Sequence, residues 1–473
     1  NVAIDENQIE EIVRGVVNNL MTASGTSAFK TAPGTSLGNG IFEKVGDSIS
    51  AAKDAQPKLV DMGREARYKI IENIRKKCLE NAEKFARLTA DETKIGRYED
   101  KITKNEVAVN LSPGPEDLDI KTYSDEVSTI TTDRAPYGLI AAITPMTNPT
   151  PGIINNAIIM ISAGNSIVFL PHPAAHNCSL EAIKVIHSAI VEAGGPANLV
   201  TGAAKSKVEN VSAAFKSDKV DMITATGGPG IVRLSMKSGK KVIGAGPGNP
   251  PVIVDETADI EKAAVEIMNG ASFDNNILCN EEKVCICIRS VSDKLLSAFS
   301  RNNTAVLNRE QTEKVINLVV KDGEINKDYI GKDAAGILGD AGVDCDPGIK
   351  LAVFVADQES HPMVQHEQLM PVLPILVVDS FEEAMAIAIR VEHGFGHTAM
   401  IHSKDIGRIT RLGQVINTTN FIVNGRSQIM AAENAKGGTA WTIAGATGEG
   451  NTTPRSYTKE RRMYVSGDMN FVK

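Results

Sequence analysis

The sequence predicts an α/β protein whose strands form parallel sheets. Short apolar runs that fit buried strands alternate with amphipathic segments that fit helices. This alternation occurs twice, first over residues 137–238 and again over residues 251–423. Strands that alternate with helices are typical of a doubly wound parallel sheet, so the chain is expected to build its core from such units.

The two sets divide into individual elements. The first predicts strands at 137–143, 166–170 and 220–224, and helices at 153–162, 180–193 and 231–238. The second predicts strands at 251–254, 283–288 and 372–378, and helices at 259–268 and 381–389. Before both sets, residues 41–104 combine dense charge with three-to-four apolar spacing, which indicates helices.

The final residues predict an extended tail. Over residues 457–472, Tyr464, Val465 and Phe471 alternate with basic residues. We expect this segment to pair with the sheet edge of another subunit.

The first residues predict a separate amphipathic helix. Between residues 9 and 20, Ile, Val and Leu recur at helical spacing on one face. Gly15 weakens this helix by about 1 kcal/mol relative to Ala, and so short a helix is marginal in water on its own. Residues 22–40 are rich in Ser, Thr, Gly and Ala and read as a flexible linker. We expect the helix to dock on a partner; the alternative is that it folds back on its own domain.

Composition excludes several classes of function. Hydrophobic residues make up 42% and charged residues 23% of the 473 residues, as in ordinary soluble globular proteins. The net charge of -8 argues against nonspecific nucleic-acid binding. The longest apolar run, Ile153 to Ile161, is far shorter than the roughly 20 residues that span a bilayer. The first residues are acidic, so no secretory signal is expected.

The six cysteines point to reduced thiols in the cytoplasm. They include no CxxC pair and no Cys/His spacing that suits zinc, so we expect no metal site. Cys285 and Cys287 lie in an apolar alternation and fit a buried strand. Cys279 differs, because it follows the turn-forming run Asp274-Asn275-Asn276 and so lies on a loop. A loop cysteine can serve as a nucleophile if its pKa is lowered or a base is near.

Asn148 is the candidate that would stabilise a developing oxyanion. It follows a buried strand that ends at Thr144-Pro145, and its amide can donate a hydrogen bond to negative charge. Locally, an Asn-Pro turn initiator is the favoured explanation of this residue. The pairing with Cys279 favours the catalytic interpretation. Because residues 244–251 hold no acid or base, the set predicts thioester chemistry rather than hydrolysis.

Two glycine-rich turns are candidates for cofactor contact. The first, Thr226-Gly227-Gly228-Pro229-Gly230, follows a predicted strand, and the second, around Gly246, precedes one. In such turns the backbone can approach a phosphate or a nicotinamide ring. Neither has the GxGxxG spacing, and a plain tight turn is equally consistent. His172 near a strand end and Glu367 before another strand are weaker candidates; Glu367 would accept hydrogen bonds from ribose or be solvated.

Eight motifs together resemble one family. They are TPMTNPTPGIINN, FLPHPAA, TATGGPG, GAGPGNPPVIVD, SFDNNILCNEEK, HEQLMPVLP, EHGFGHTAMIHS and TIAGATGEG. The set is similar to the CoA-acylating branch of the aldehyde dehydrogenase superfamily, from about Gly40 to the last residue. The resemblance implies a Rossmann-like cofactor domain, an α/β catalytic domain and an oligomerisation arm.

The resemblance also implies residue roles. Cys279 would be the nucleophile, and Asn148 with the Cys279 backbone amide would form the oxyanion hole. The resemblance places further residues against NAD, or against CoA as co-substrate: Thr144, Pro145, Thr226, Gly227, Gly228 and Gly246. Glu367 would bind the nicotinamide ribose, and His172 would lie near the adenosine half of NAD or CoA.

Two departures from the family pattern bear on the reaction. Hydrolytic aldehyde dehydrogenases carry a Glu-Leu-Gly-Gly-Lys motif whose Glu activates water, and Gly244 stands at that Glu position. The usual Lys beside the adenosine ribose is replaced by Leu170, which leaves the choice between NAD and NADP open. Loss of the base suits an acyl-enzyme that must survive until CoA arrives.

The resemblance extends to location and assembly. The first helix and its linker are similar to encapsulation peptides of bacterial microcompartment enzymes. This implies oxidation of propanal or ethanal to acyl-CoA in a microcompartment lumen, a shell protein as partner, and a homodimer or homotetramer. The alternatives are a hydrolytic aldehyde dehydrogenase or a non-catalytic shell-docking protein. The expected segments are a docking helix, a linker, a cofactor domain, a catalytic domain and a C-terminal tail, at 1–21, 22–40, 41–243, 244–425 and 426–473.

Overall fold

The computed structural model describes residues 35–428 and 438–466. The predicted docking helix and most of the predicted linker lie outside the described residues. Within them, β1 (Ser36–Gly38) and β2 (Ile41–Phe42) open the chain. Four helices follow: α1 (Val45–Asp61), α2 (Gly63–Glu80), α3 (Ala82–Thr93) and α4 (Tyr98–Leu111). The predicted helical character of residues 41–104 is thus confirmed from Val45 onward.

The first of these helices, α1, packs directly on the first sheet, where Val45, Ile49 and Ala52 share an apolar cluster with its strands. Helices α2, α3 and α4 pack instead on the helices that cover the other face of that sheet. Ile70, Ile74 and Phe85 are fully buried in one apolar cluster with the sheet and its helices. Two antiparallel strands, β3 (Lys121–Ser124) and β4 (Ser128–Pro136), then lead into the sheet.

The first sheet has seven strands and two winding directions. Its later strands are β5 (Leu139–Thr144), β6 (Ser166–Pro171), β7 (Val200–Ala203), β8 (Met222–Thr226) and β9 (Lys241–Ala245). The helices between them are α5 (Pro149–Ser162), α6 (His176–Glu192), α7 (Val208–Lys216) and α8 (Pro229–Met236). The strand order is β1-β2-β7-β6-β5-β8-β9, and all pairs except β1–β2 are parallel. Because the order reverses between β5 and β8, the carboxyl ends of these two strands flank a crevice.

The second sheet repeats this plan with seven parallel strands. Its first half contains β10 (Pro251–Val254), α9 (Ile260–Ser272), β11 (Val284–Ile288), α10 (Arg289–Ser300), β12 (Thr304–Val306) and α11 (Arg309–Val319). A small hairpin, β13 (Val320–Lys321) and β14 (Glu324–Ile325), precedes α12 (Ala334–Asp340).

Its second half adds strands on both sides of the central pair β10 and β11. The elements are β15 (Leu351–Val355), α13 (Pro362–Gln365), β16 (Val372–Val378), α14 (Phe381–Val391), β17 (Thr398–His402), α15 (Ile406–Val415) and β18 (Asn420–Val423). The order is β12-β15-β16-β11-β10-β17-β18. Central strands such as β11 are buried along their whole length, as expected when helices cover both faces of a parallel sheet.

The chain then returns to the first sheet. A short pair, β19 (Ile443–Ala444) and β20 (Gly450–Asn451), is followed by β21 (Thr458–Ser466). The whole of β21 pairs antiparallel with β4 of the same chain, in a three-stranded sheet of order β21-β4-β3. The extended tail is confirmed over the described residues. One edge of β21 is paired with β4 of its own chain. Pairing with another subunit therefore stays a prediction for the other edge of β21.

Every strand and helix predicted individually is present, with ends that differ by a few residues. The first sheet ends at Ala245 and the second begins at Pro251, close to the predicted boundary at residue 244. The division into independent domains stays a prediction. Within residues 35–428 and 438–466, no helix is both long and apolar enough to cross a bilayer.

Candidate active site

A cavity of about 470 Å³ holds both predicted catalytic residues. Cys279 and Asn148 line it together with residues of α4, of the end of α9 and of the segment 439–443. The walls therefore come from distant parts of the chain, from Arg97 to Ile443. Ligand pockets of enzymes commonly measure about 300–1,000 Å³, so the cavity can hold a small substrate.

An unusual backbone turn carries Cys279. Between α9 and the cysteine, Asp274, Asn275 and Asn276 have φ angles of +43°, +58° and +63°. Asn and Asp are the side-chain-bearing residues that best tolerate this left-handed region. The amide of Asn275 donates to the Gly331 carbonyl at 2.9 Å, and that of Asn276 donates to the Ala271 carbonyl at 2.7 Å. The predicted turn is confirmed, and its side chains hold it in place.

Three successive charged residues, which begin two positions after Cys279, are buried. Glu281, Glu282 and Lys283 all have 0% exposed surface. The Leu278 backbone N–H donates to Glu281 at 3.1 Å, and Lys283 Nζ donates to the Leu278 carbonyl at 3.0 Å. Both polar groups of the residue before Cys279 are therefore fixed by side chains. The sequence analysis missed this role, because a Glu-Glu-Lys run normally reads as a solvated surface.

Burial controls the ionisation of this segment. Desolvation raises the pKa of the Cys279 thiol to about 12; the charge of Glu367 adds to the rise and that of Lys283 opposes it. Burial also raises the pKa of Glu282 to about 7, although hydrogen bonds from Ser427 work against the rise. It lowers the pKa of Lys283, with Glu281 acting in the opposite direction. In the ligand-free protein, the thiol is thus protonated at neutral pH.

Asn148 lies where the sequence places it, just beyond β5. It directly precedes Pro149, the first residue of α5, and its side chain makes no capping hydrogen bond to that helix. Its Nδ2 donates to Thr147 Oγ1 at 3.3 Å, and one amide hydrogen remains for a ligand. Its buried Oδ1 has no hydrogen-bond partner among the described residues. Asn148 and Cys279 thus share one cavity, and the oxyanion role stays a prediction.

The predicted cofactor residues gather at one edge of the first sheet. Thr144 and Pro145 end β5, and His172 follows the neighbouring β6, with its backbone N–H 3.0 Å from the Thr144 carbonyl. At the ends of β8 and β9, the Gly227 N–H donates to the Ala245 carbonyl at 3.1 Å. Thr226, Gly228 and Gly246 lie at the same edge. This is the carboxyl edge, where open α/β sheets bind nucleotides.

Gly244 occupies a position with no room for a side chain. A Cβ atom there would lie 2.8 Å from Cγ1 of Val232, on α8. Real Cβ atoms do not approach other heavy atoms this closely, so the packing of α8 on β9 requires glycine. The glycine N–H donates to Thr447 Oγ1 at 3.0 Å. This position therefore carries no carboxylate, and the Val232 side chain occupies the space that a Cβ atom of residue 244 would need.

Gly248 joins the cofactor edge to the cysteine. Its N–H donates to Glu367 Oε1 at 3.3 Å, and a Cβ atom on it would lie 2.3 Å from the Cys279 carbonyl oxygen. This close approach explains why a glycine stands here. Glu367 thereby lies between the nucleotide edge and the catalytic loop, consistent with the predicted contact with a nicotinamide ribose.

His397 is a further residue of this region that the sequence analysis did not single out. Its ring packs against Gly248, and its Nδ1 lies 2.9 Å from Thr398 Oγ1. Burial lowers its pKa to about 4, and the charge of Lys283 adds to the effect. The ring is neutral at physiological pH. Its signals in the sequence are its place in the motif EHGFGHTAMIHS and its position directly before a buried strand.

The aldehyde dehydrogenase family matches this chain over residues 35–462, nearly the whole described region. The chain belongs to the aldehyde dehydrogenase family. Propanal dehydrogenase (CoA-propanoylating) of Salmonella typhimurium is 37% identical to it over 466 residues, which cover 98% of this chain and 99% of that protein. The resemblance to the CoA-acylating branch is thereby confirmed.

Solved structures of related aldehyde dehydrogenases show the same fold. A propionaldehyde dehydrogenase from the fucose utilisation microcompartment of Clostridium phytofermentans has a TM-score of 0.88 and 39% identity, covering 90% of this chain and 98% of that chain. The Rhodopseudomonas palustris propionaldehyde dehydrogenase, solved with bound CoA and an acylated cysteine, has a TM-score of 0.89 and 38% identity, covering 91% and 99%.

A nicotinamide nucleotide is present in another similar structure. An engineered glycolyl-CoA reductase with bound NADP+ has a TM-score of 0.90 and 38% identity, covering 92% of this chain and 100% of that chain. The predicted Rossmann-like α/β fold is therefore confirmed. The predicted cofactor pair, a nicotinamide nucleotide and CoA, agrees with what these similar structures bind.

Proposed function

We propose that this aldehyde dehydrogenase oxidises a short aliphatic aldehyde, propanal or ethanal, and transfers the acyl group to CoA through a thioester on Cys279. One observation carries the proposal. A half-buried cysteine shares its cavity with an amide donor, while the position of the water-activating base is a glycine packed against Val232.

The first half of the reaction forms the acyl-enzyme. The Cys279 thiol loses its proton to solvent and attacks the aldehyde carbon, while the remaining Asn148 amide N–H donates a hydrogen bond to the oxygen that becomes negative. The carboxyl edge of the first sheet would hold the nicotinamide cofactor. Its residues fit one, because Gly246 has open space around it and Gly227 and Gly228 expose backbone before α8. A nicotinamide cofactor held there would supply the hydride acceptor that oxidises the Cys279 adduct to a thioester.

The second half releases the product. With no base at position 244, water at the thioester lacks an activating group, and the thiol of CoA attacks instead. This gives acyl-CoA and restores Cys279. The order of events is a ping-pong sequence in which the acyl group waits on the enzyme.

Product analysis tests the proposal directly. NADH formation is measured for a series of C2–C5 aldehydes with and without CoA, and the products are identified by mass. We expect sustained NADH formation only with CoA, and acyl-CoA as product. A hydrolytic enzyme would form NADH and free acid without CoA, and a non-catalytic docking protein would form no NADH with any aldehyde.

Substitution of the two catalytic candidates separates their roles. We expect Cys279→Ala to abolish acyl transfer and Asn148→Ala to lower the rate by about 100- to 1,000-fold, as is usual when one oxyanion donor is lost. Mass spectrometry of wild-type enzyme with aldehyde and NAD should show an acyl adduct on Cys279. Activity that persists in Cys279→Ala would reject the mechanism.

We further propose that residues 1–21 bind a shell protein and place the enzyme in a bacterial microcompartment lumen. The amphipathic pattern of this segment supports the proposal, as does the microcompartment origin of the similar Clostridium phytofermentans structure. Deleting residues 1–20 should leave catalysis intact and abolish co-purification with shell protein. Loss of catalysis on deletion would instead indicate a helix that folds on its own domain.

A further inference from the structure

A buried ion cluster lies between the loop that carries Cys279 and the strand end that carries Asn148. Its centre is the Asp274 carboxylate, which has 0% exposed surface. Two lysines of α4 reach it: Lys101 Nζ at 3.0 Å and Lys104 Nζ at 2.5 Å. Their side chains are 3% and 2% exposed. Charges this deeply buried are costly unless they are paired, so the cluster has a specific geometry.

The two lysines differ in one contact. Lys104 Nζ also donates to the Thr147 carbonyl at 3.0 Å, and Thr147 is the residue before Asn148. Lys101 Nζ, by contrast, donates to the two carboxylate oxygens of Asp274. Lys104 therefore links two segments whose functional residues must meet across the cavity, and it lines that cavity itself.

The link acts on a segment that needs support. Asp274 is the first of three successive residues with left-handed φ angles, a conformation that costs free energy and persists only when the surroundings enforce it. The Arg97 N–H donates to Asp274 at 2.6 Å, and the Asp274 N–H donates to Asp100 at 2.9 Å. All four contacts to Asp274 come from α4 or from the residue directly before it.

We infer that Lys104 is a positioning residue that fixes the distance between the Cys279 thiol and the Asn148 amide, by bonding the Asp274 carboxylate and the Thr147 carbonyl at once. The inference rests on the proposed function, in which these two groups act on the same carbonyl. Oxyanion stabilisation depends on sub-ångström placement, so loosening this bridge should reduce the advantage that Asn148 gives.

The test is a double-mutant cycle between Lys104→Met and Asn148→Ala, measured as the rate of acyl-enzyme formation with propanal and NAD. We expect Lys104→Met alone to lower that rate by about 10- to 100-fold, the usual effect of a misplaced catalytic group, with KM for the aldehyde changed by less than about threefold. In the Asn148→Ala background, the same change should cost less than about threefold, because the amide it positions is gone.

Lys101→Met is the matched control. It removes a buried lysine from the same carboxylate but leaves the contact between Lys104 and Thr147. We therefore expect a smaller loss of rate, and the loss in the double variant with Asn148→Ala should equal the product of the two single losses. Lys104→Arg keeps the charge and should recover part of the rate. Should Lys104→Met fail to fold in a thermal-unfolding assay, Lys104→Arg serves in its place in the cycle.

The outcomes separate this inference from the proposed function. Losses from Lys104→Met and Asn148→Ala that multiply in full, or a Lys104→Met rate equal to wild type, would overturn the positioning role. Wild-type enzyme that forms no acyl-CoA would reject the proposed function instead. Coupling confined to Lys104 would support the inference.

Discussion

At the scale of single residues, the resting state of Cys279 is set by burial. Its thiol has a pKa raised to about 12, and the opposing charge of Lys283 does not offset the desolvation. Only a small fraction is thiolate at neutral pH. The ligand-free enzyme therefore keeps most of its nucleophile in the less reactive thiol form.

This predicts the pH profile of alkylation. With iodoacetamide and no ligands, the reaction rate of Cys279 should rise about tenfold per pH unit from pH 7 to pH 9, because the thiolate fraction grows tenfold per unit below the pKa. Mass spectrometry of the peptide that contains Cys279 separates it from the other five cysteines. A plateau between pH 7 and pH 8 would contradict the raised pKa.

The sequence identified the reacting residues but not their supports. Cys279 and Asn148 were recognisable because each follows a turn or a strand end. Lys104, Glu281 and Lys283 were not, because a charged residue reads as solvated unless its burial is known. Their burial depends on the packing of α4 and the segment 426–428 against the catalytic loop, which is a tertiary property.

At the scale of elements, the contact between β9 and α8 decides which nucleophile can complete the reaction. Gly244 of β9 and Val232 of α8 are packed so closely that a Cβ atom would overlap Cγ1 of the valine. The catalytic base is thus excluded by packing as well as by sequence. Restoring it requires the Val232 side chain to move or to be shortened.

We predict that Gly244→Glu does not convert the enzyme to a hydrolase. The substitution should destabilise the fold by about 1–3 kcal/mol through overpacking, and free acid should not exceed that of wild type without CoA. Stability is followed by thermal unfolding and acid by mass. Val232→Ala in the same chain is the control and should recover part of the stability. Free acid from Gly244→Glu alone, at a rate near that of acyl-CoA formation, would contradict this explanation.

Elements with strong patterns were predicted and weak ones were not. The β-branched runs of β5 and β11 and the apolar stretch of α5 gave clear signals. Strands β7 and β9 did not, because β7 has four residues and each contains a glycine near its end. They form because neighbouring strands supply their hydrogen bonds and helices cover them, neither of which a local pattern reveals.

At the scale of the whole molecule, the three-stranded sheet leaves apolar surface uncovered. The register places Tyr464 opposite Ile130, and Ile130 opposite Tyr123, in one row across the strands. Tyr464 is 65% and Tyr123 is 59% exposed. A row of exposed aromatic side chains on a sheet is a typical subunit contact, which supports the predicted homo-oligomer.

We predict that Tyr464→Lys weakens this oligomer. A charge in the apolar row would have to be desolvated on assembly, so the measured mass should shift toward that of the monomer. Light scattering after size-exclusion chromatography measures the mass over a range of concentrations. Met463→Lys is the control, because residue 463 is similarly exposed at 60% but faces the other side of the strand. An unchanged mass in Tyr464→Lys, or equal dissociation in both variants, would reject the row as the contact.

Residues 439–443 form one wall of the cavity around Cys279. This segment begins 160 residues after the cysteine, so it is synthesised much later. A nascent chain that has just exposed this thiol lacks the wall, and also lacks β21, which ties the end of the described chain to β4. The described pocket is therefore incomplete until residues 439–443 have been made. A chain that stops before residue 439 lacks this wall, so we expect it to bind aldehyde beside Cys279 poorly.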